Sequence, residues 1–214
     1  MGLILDFKFL LDKEEVLKIM NCSRRSSAYE EVSSAYDSLL INTKRFLEPK
    51  GIFKFENRPE EYVFHEVNKC SHMVYCIVTL GEKITLEIQK YFNNGQYLEG
   101  MLLDVMADSI LSEYSNQLFK LICAEAKKLG FGLTRKLSPG NGEFELKYQK
   151  YILDELEGKK LLEVNITESF MLTPVKSVAF IFGADKSLSI PESDHECARC
   201  TNLKCTMRKE KYRG

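Results

Sequence analysis

A chain of 214 residues with 29% charged side chains and a net charge of −1 is long enough for one substantial core, and no whole-chain field draws it to nucleic acid or an acidic membrane surface. No run of about eighteen apolar residues occurs, and the N-terminal stretch carries Asp6 with no cleavage-site pattern after it, so the expectation is a cytoplasmic protein without a membrane span or signal peptide. Seven cysteines, an odd number in an otherwise ordinary composition, argue for reduced thiols rather than a disulfide scaffold.

Residues 3–11 alternate apolar and polar around Asp6 and Lys8 and read as a short strand, after which Asp12 and Glu15 have the spacing of a capping box for a helix to about Asn21. The pattern then predicts a helix over 27–46 with Ala28, Val32, Ala35, Leu39 and Leu40 inward, stopped by Pro49-Lys50-Gly51. Strands are predicted at 52–56 and 61–67 around Asn57-Arg58-Pro59, and a third, buried one at 73–80. Helix resumes over 84–92, Asn93-Asn94-Gly95 turns the chain, and 97–128 is the longest helix, with Leu102, Met106, Ile110, Tyr114, Leu118 and Ile122 along one stripe. Gly130 and Gly132 close it. Cys22, Cys70, Cys76 and Cys123 fall in or beside these elements and read as small core hydrophobes, and His65 and His72 as structural or exposed.

Next comes Arg135-Lys136-Leu137-Ser138-Pro139-Gly140-Asn141-Gly142, a loop in which proline fixes one φ and two glycines permit positive ones, so that backbone amides could turn toward an anion or small ligand. A tight connection between helices is the competing reading. Phe144, Tyr148, Tyr151, Ile152 and Leu156 predict an amphipathic helix over 144–157 ended by Gly158. Residues 167–183 read as an extended segment entered through Pro174, whose last six residues suit a strand covered on both faces; Lys176 and Ser177 read as its solvated edge. Helices and strands intermix without regular alternation, so the fold class is α+β with a mainly antiparallel sheet.

The succession Ser138-Pro139-Gly140, Leu146, Gln149, Leu162, Thr167-Glu168-Ser169, Met171, Pro174, Lys176-Ser177-Val178 and Gly183 resembles the activation domain of cobalamin-dependent methionine synthase, in its stand-alone form. Upstream, Ile77-Val78-Thr79-Leu80-Gly81, Ile88, Tyr91-Phe92 and Leu103-Asp104 extend the likeness, which covers roughly residues 60–183. The resemblance implies a single domain over 1–190 with a twisted antiparallel sheet flanked by helices. It also implies a groove for S-adenosylmethionine, whose carboxylate meets an arginine of an Arg-x-x-x-Gly-Tyr loop and a tyrosine on the late strand. Here Lys136 stands four residues before Gly140 with Arg135 beside it, Asn141 replaces the loop tyrosine and Phe182 the strand tyrosine. The glutamate implied eight residues after Asp104 is Ser112, with Glu113 adjacent but rotated by about 100° on a helix. On the resemblance, the residues facing S-adenosylmethionine are Arg135, Lys136, Ser138, Pro139, Gly140, Asn141, Glu113 and Phe182. Losing a bidentate arginine and two hydroxyls costs about 2–4 kcal/mol, or roughly thirty- to a thousand-fold in affinity.

The resemblance implies an accessory factor that docks on cobalamin-binding methionine synthase or another corrinoid protein and supports its reductive reactivation by methylation from S-adenosylmethionine, with a reductase or flavodoxin-type protein as electron donor. After Pro191 the chain turns polar, and Cys197-x-x-Cys200 followed by Cys205 puts three thiols within nine residues, the local chelate that zinc or an iron-sulfur cluster uses. Arg199, Lys204 and Arg208 favour the thiolates. His195, Cys70 or a second subunit would complete four ligands, and a redox-labile thiol cluster or a tail without metal are the other readings. Residues 191–214 are therefore a Cys-rich tail. The alternative function is a metal- or iron-sulfur-carrying redox or interaction module of the same fold that has lost S-adenosylmethionine binding, or, more plainly, an adaptor that only binds the corrinoid protein.

Overall fold

The computed structural model describes residues 1–60, 65–141 and 144–194. Its centre is a five-stranded antiparallel sheet in the order β1-β2-β3-β7-β4. The strands are β1 (Gly2–Ile4), β2 (Lys50–Asn57), β3 (His72–Thr79), β4 (Gly132–Leu133) and β7 (Ser177–Asp185), and β5 (Asn165–Ile166) with β6 (Leu172–Thr173) forms a separate hairpin. The α+β, mainly antiparallel architecture expected of the sequence is what the chain adopts.

Strand alternation sorts the sheet into two cores. On one face Phe53, Val74, Cys76, Val78, Phe180 and Phe182 meet α1 (Lys13–Ile19), α2 (Tyr29–Thr43), α3 (Lys83–Asn93) and α4 (Tyr97–Leu129). On the other, Ile52, Met73, Tyr75, Ile77, Ala179 and Ile181 meet α5 (Tyr148–Glu155), α6 (Gly158–Leu162) and the hairpin. Because β3 and β7 are covered on both faces, their sequences are near-continuous apolar runs without a polar side. Helix α4 spans 33 residues and buries the whole predicted stripe, and Gly130 ends it in the left-handed conformation at φ 74°.

Several elements differ from the sequence reading. The N-terminal strand is only three residues long, because its partner β2 registers against Gly2, Leu3 and Ile4 alone. Asp12 does cap α1, its carboxylate accepting from the amides of Glu14 and Glu15. Ala28 is exposed at the mouth of α2, while Tyr36 takes the inward position, and residues 44–46 tighten into a 3-10 turn. In the expected strand at 61–67, residues 65–69 form turns, and 61–64 lie outside the described residues. Tyr151 points outward at the surface of α5 and Leu153 inward. Gly158 opens α6 instead of ending the element, Glu157 at φ 48° having broken the helical path before it, and a side chain at 158 would strike Leu153 and Ile77. The segment 167–176 is a hairpin tip plus a cis Thr173–Pro174 peptide, and only from Ser177 does it join the sheet. No helix among the described residues is long and apolar enough to cross a membrane.

Candidate functional site

The loop after α4 is stitched to β7. Leu137 exchanges two backbone hydrogen bonds with Ile181, each 2.9 Å, and Thr134 does the same for Gly183 through its amide and its hydroxyl. Further on, Gly140 donates to the Phe144 carbonyl at 2.6 Å and Asn141 to Ser138 at 3.2 Å, closing a tight turn with Gly140 at φ 93°. The amides of Lys136, Leu137, Gly140 and Asn141 thus all donate within the protein. Pro139 has none to offer, so the loop is a bridge and a turn, and those amides do not form an anion cradle.

Its two cations are also engaged. Arg135 meets Glu66 at 3.0 Å, near the surface. Lys136 holds its ammonium over the Phe180 ring, 5.2 Å from the centroid, and pairs it with the Asp194 carboxylate. The amide of Lys136 also donates to the Asp194 carbonyl at 3.2 Å, so this residue is held by main chain and side chain together. With side chains only 23% and 8% exposed, the pair sits where water screens it poorly, and its charges satisfy one another.

Phe182 faces the α4 side of the sheet and is fully buried, 5.5 Å from Phe119 and 5.8 Å from Phe180 between centroids. Its ring lines no groove among the described residues. Glu113, on α4, accepts from Gln117 at 3.1 Å, and Gln117 also clamps the backbone of Lys8 on both sides, so this carboxylate serves the N-terminal segment. Ser138 and Pro139 are half-buried in the turn, and Asn141 is exposed. Lys136 and Phe182 therefore share the α4 face of the sheet, whereas Arg135, Asn141 and Glu113 each look elsewhere. As folded, this set does not offer a free cation to a ligand carboxylate.

Sequence reasoning missed one polar cluster. Lys176 is buried, not a solvated edge. Its ammonium lies 2.8 Å from Asp104 and 2.7 Å from Asp108, one turn apart on α4, and 3.3 Å from the Asp104 carbonyl. Beside it the Ser177 hydroxyl donates to Thr79 Oγ1 at 2.8 Å, which accepts from the Gly81 amide as well. The i, i+4 spacing of Asp104 and Asp108 was the available signal. Gln149 Oε1, on α5 behind the loop, is buried without a hydrogen-bond partner among the described residues.

The thiols divide by burial. Cys70 and Cys76 are sealed in the two cores, where burial pushes both thiols up. Cys70 lies directly against Gly183, so it is not a surface ligand waiting for the tail. Cys22 is buried too. Cys123 is part-exposed on α4; burial raises its thiol, Lys127 opposes that and the charge of Asp194 adds to it. The metal ligands expected at His195, Cys197, Cys200 and Cys205 lie outside the described residues, and among the described ones no group of three metal-ligating side chains converges. His72 opens β3, its ring 4.5 Å from Phe131 and its Nδ1 3.0 Å from Ser71 Oγ, and His65 is exposed in a turn.

Asp185, at the end of β7, gathers the Ser187 amide and hydroxyl and the Ser71 amide, which hold its carboxyl well below the usual carboxylate range. A depressed folded-state value contributes stability that is present above about pH 4 and lost as pH falls below it. Asp185→Asn is therefore expected to lower the neutral plateau of a stability-pH profile and leave its acid end less changed, so that the acid limb flattens, as read by thermal unfolding between pH 2 and about 7.

An α+β fold with helices on both faces of a five-stranded antiparallel sheet, and an edge loop stitched to its long last strand, is the class of protein these observations define. No family model and no curated relative matches the chain. Among solved structures, the crystal structure of the MetH reactivation domain bound to AdoHcy is similar in fold, with a TM-score of 0.59 over 88% of this chain and 72% of that one, at 14% identity. At that identity the likeness concerns the fold, and it agrees with the resemblance read from residues 60–183.

Proposed function

We propose that this protein is an accessory factor that docks on cobalamin-binding methionine synthase or another corrinoid protein and supports its reductive reactivation by methylation from S-adenosylmethionine. The observation that carries this reading is the fold likeness across most of both chains to a reactivation domain whose structure holds AdoHcy. The corrinoid of the partner supplies the nucleophile, and a reductase or flavodoxin-type protein the electron. What remains for this chain is to hold the methyl donor and the partner in register, a task of positioning that needs no triad, acid or base. The 1–190 segment would be the docking body and 191–214 an appended tail.

A second reading is favoured by the ion pair between Lys136 and Asp194: a module that keeps the fold and a partner surface but no longer binds the methyl donor, with zinc or an iron-sulfur cluster on Cys197, Cys200, Cys205 and His195. One experiment separates the two. Methionine synthase lacking its own activation domain, loaded with cobalamin and inactivated, is mixed anaerobically with a reductant and methyl-labelled S-adenosylmethionine, with and without this protein. The first reading expects at least tenfold faster label transfer with the protein present and saturable heat on titrating it with S-adenosylmethionine. Unchanged transfer together with no heat up to millimolar ligand defeats it. Metal analysis of the same preparation, with the three tail cysteines changed to serine as reference, then decides the second.

A further inference from the structure

Lys136 occupies a position built for an ammonium that faces a carboxylate. Its stem is packed and the Phe180 face lies 5.2 Å from Nζ, so the charge needs an anion on its remaining side. The anion present is internal: Asp194, which comes 58 residues later in the chain. We infer that Asp194 is a latch, a carboxylate of the protein itself that fills the place of a ligand carboxylate at the 135–141 loop, so that an amino-acid-bearing ligand enters only as Asp194 leaves.

The latch rests on the reading that this loop receives the methyl donor, and it adds regulation of that site. Three features make Asp194 suited to move. It lies beyond β7, on a segment that crosses the two-residue edge strand β4 through one bond, the Leu133 amide to the Ser189 carbonyl at 3.1 Å, and then meets Lys136. Releasing that segment breaks this bond and the Lys136 amide's bond to the Asp194 carbonyl at 3.2 Å, but none of the pairings between β2, β3 and β7 that carry the sheet. Its exchange partner would also be a carboxylate, so the buried cation never has to remain unpaired. This conserved count of ion pairs keeps the swap low in cost, where unpairing a buried charge alone would be prohibitive. Asp194 is followed directly by His195, Glu196 and Cys197, which ties the latch in sequence to the cysteine cluster.

The test is calorimetric titration of the full chain, wild type and Asp194→Asn, with S-adenosylmethionine and with 5′-methylthioadenosine, which keeps the nucleoside and sulfur but has no carboxylate. The latch expects Asp194→Asn to tighten S-adenosylmethionine at least tenfold and to change 5′-methylthioadenosine by less than about twofold. Adding Lys136→Met to Asp194→Asn removes the gain. Equal affinity of wild type and Asp194→Asn for S-adenosylmethionine overturns the latch and leaves donor binding standing. No heat from either ligand with either protein overturns donor binding at this loop, and the latch with it. Should Asp194→Asn fail to fold, Asp194→Glu keeps the charge but moves the carboxylate by one methylene, and an intermediate gain is then expected, with no gain counting against the latch.

Discussion

Replacing Lys176 with alanine is expected to lower the unfolding free energy by about 2–3 kcal/mol, and Lys176→Met by about 1 kcal/mol. The Lys176 side chain is 8% exposed, whereas those of Asp104 and Asp108 are 44% and 59% exposed. Both carboxylates can therefore recover water when the lysine is removed, which keeps the loss below the 3–5 kcal/mol typical of breaking a fully buried pair. What alanine forfeits is the buried stem, the bond to the Asp104 carbonyl, and the cation that separates two like charges on adjacent helical turns. Methionine restores the stem but not the charge, so the difference between the two variants measures packing against electrostatics. Urea unfolding at neutral pH reads it directly. If both variants stay within about 0.5 kcal/mol of wild type, the cluster does not clamp β7 to α4. If instead stability holds and S-adenosylmethionine affinity falls, Lys176 is a ligand contact and its structural role is the part that fails.

Gly132→Ala is expected to cost about 2–3 kcal/mol and to lower Tm by roughly 4–12 °C, more than its single methyl group would suggest. A Cβ at this position would lie 2.1 Å from both the carbonyl carbon and the oxygen of Leu188, which are main-chain atoms and cannot rotate away. Either β4 or the 186–194 segment must lift off. In the second case the Leu133 to Ser189 bond and the hold on Asp194 loosen together, so amide exchange at Leu133 and Lys136 should quicken while that of β3 stays slow. Gly95→Ala is the control: it has a left-handed φ of 75° but nothing within 4 Å, so it reports backbone strain alone, about 1 kcal/mol. Equal losses in the two variants would mean that close approach of the segment to Gly132 carries no weight.

Regular local patterns made much of this fold legible in the sequence. The stripe from Leu102 to Ile122 announces α4 because its 3.6-residue period repeats over many turns, and the apolar runs of β3 and β7 announce strands with cover on both faces. Short or interrupted patterns misled. Alternation over residues 3–11 extended beyond the three that find a partner on β2, and 167–176 looked extended although a hairpin and a proline divide it. Strand length depends on what lies alongside, which alternation cannot report.

The candidate site divides along the same line. Order and spacing of residues from Ser138 to Gly183 carried the likeness to an activation domain by sequence alone, since those features are sequential. Whether Lys136 is free to hold a ligand was decided by Asp194, Phe180 and the register of β7, and whether Phe182 lines a groove was decided by Phe119 on α4. Lys176 likewise met Asp104 and Asp108 across about seventy residues of chain. Sequence by itself determined which segments could become helix or strand, because periodicity is a local property of burial. Only the tertiary structure decided which charges were already neutralised, because an ion pair depends on distance in space and its strength on the exclusion of water, and neither is written in the spacing of residues along the chain.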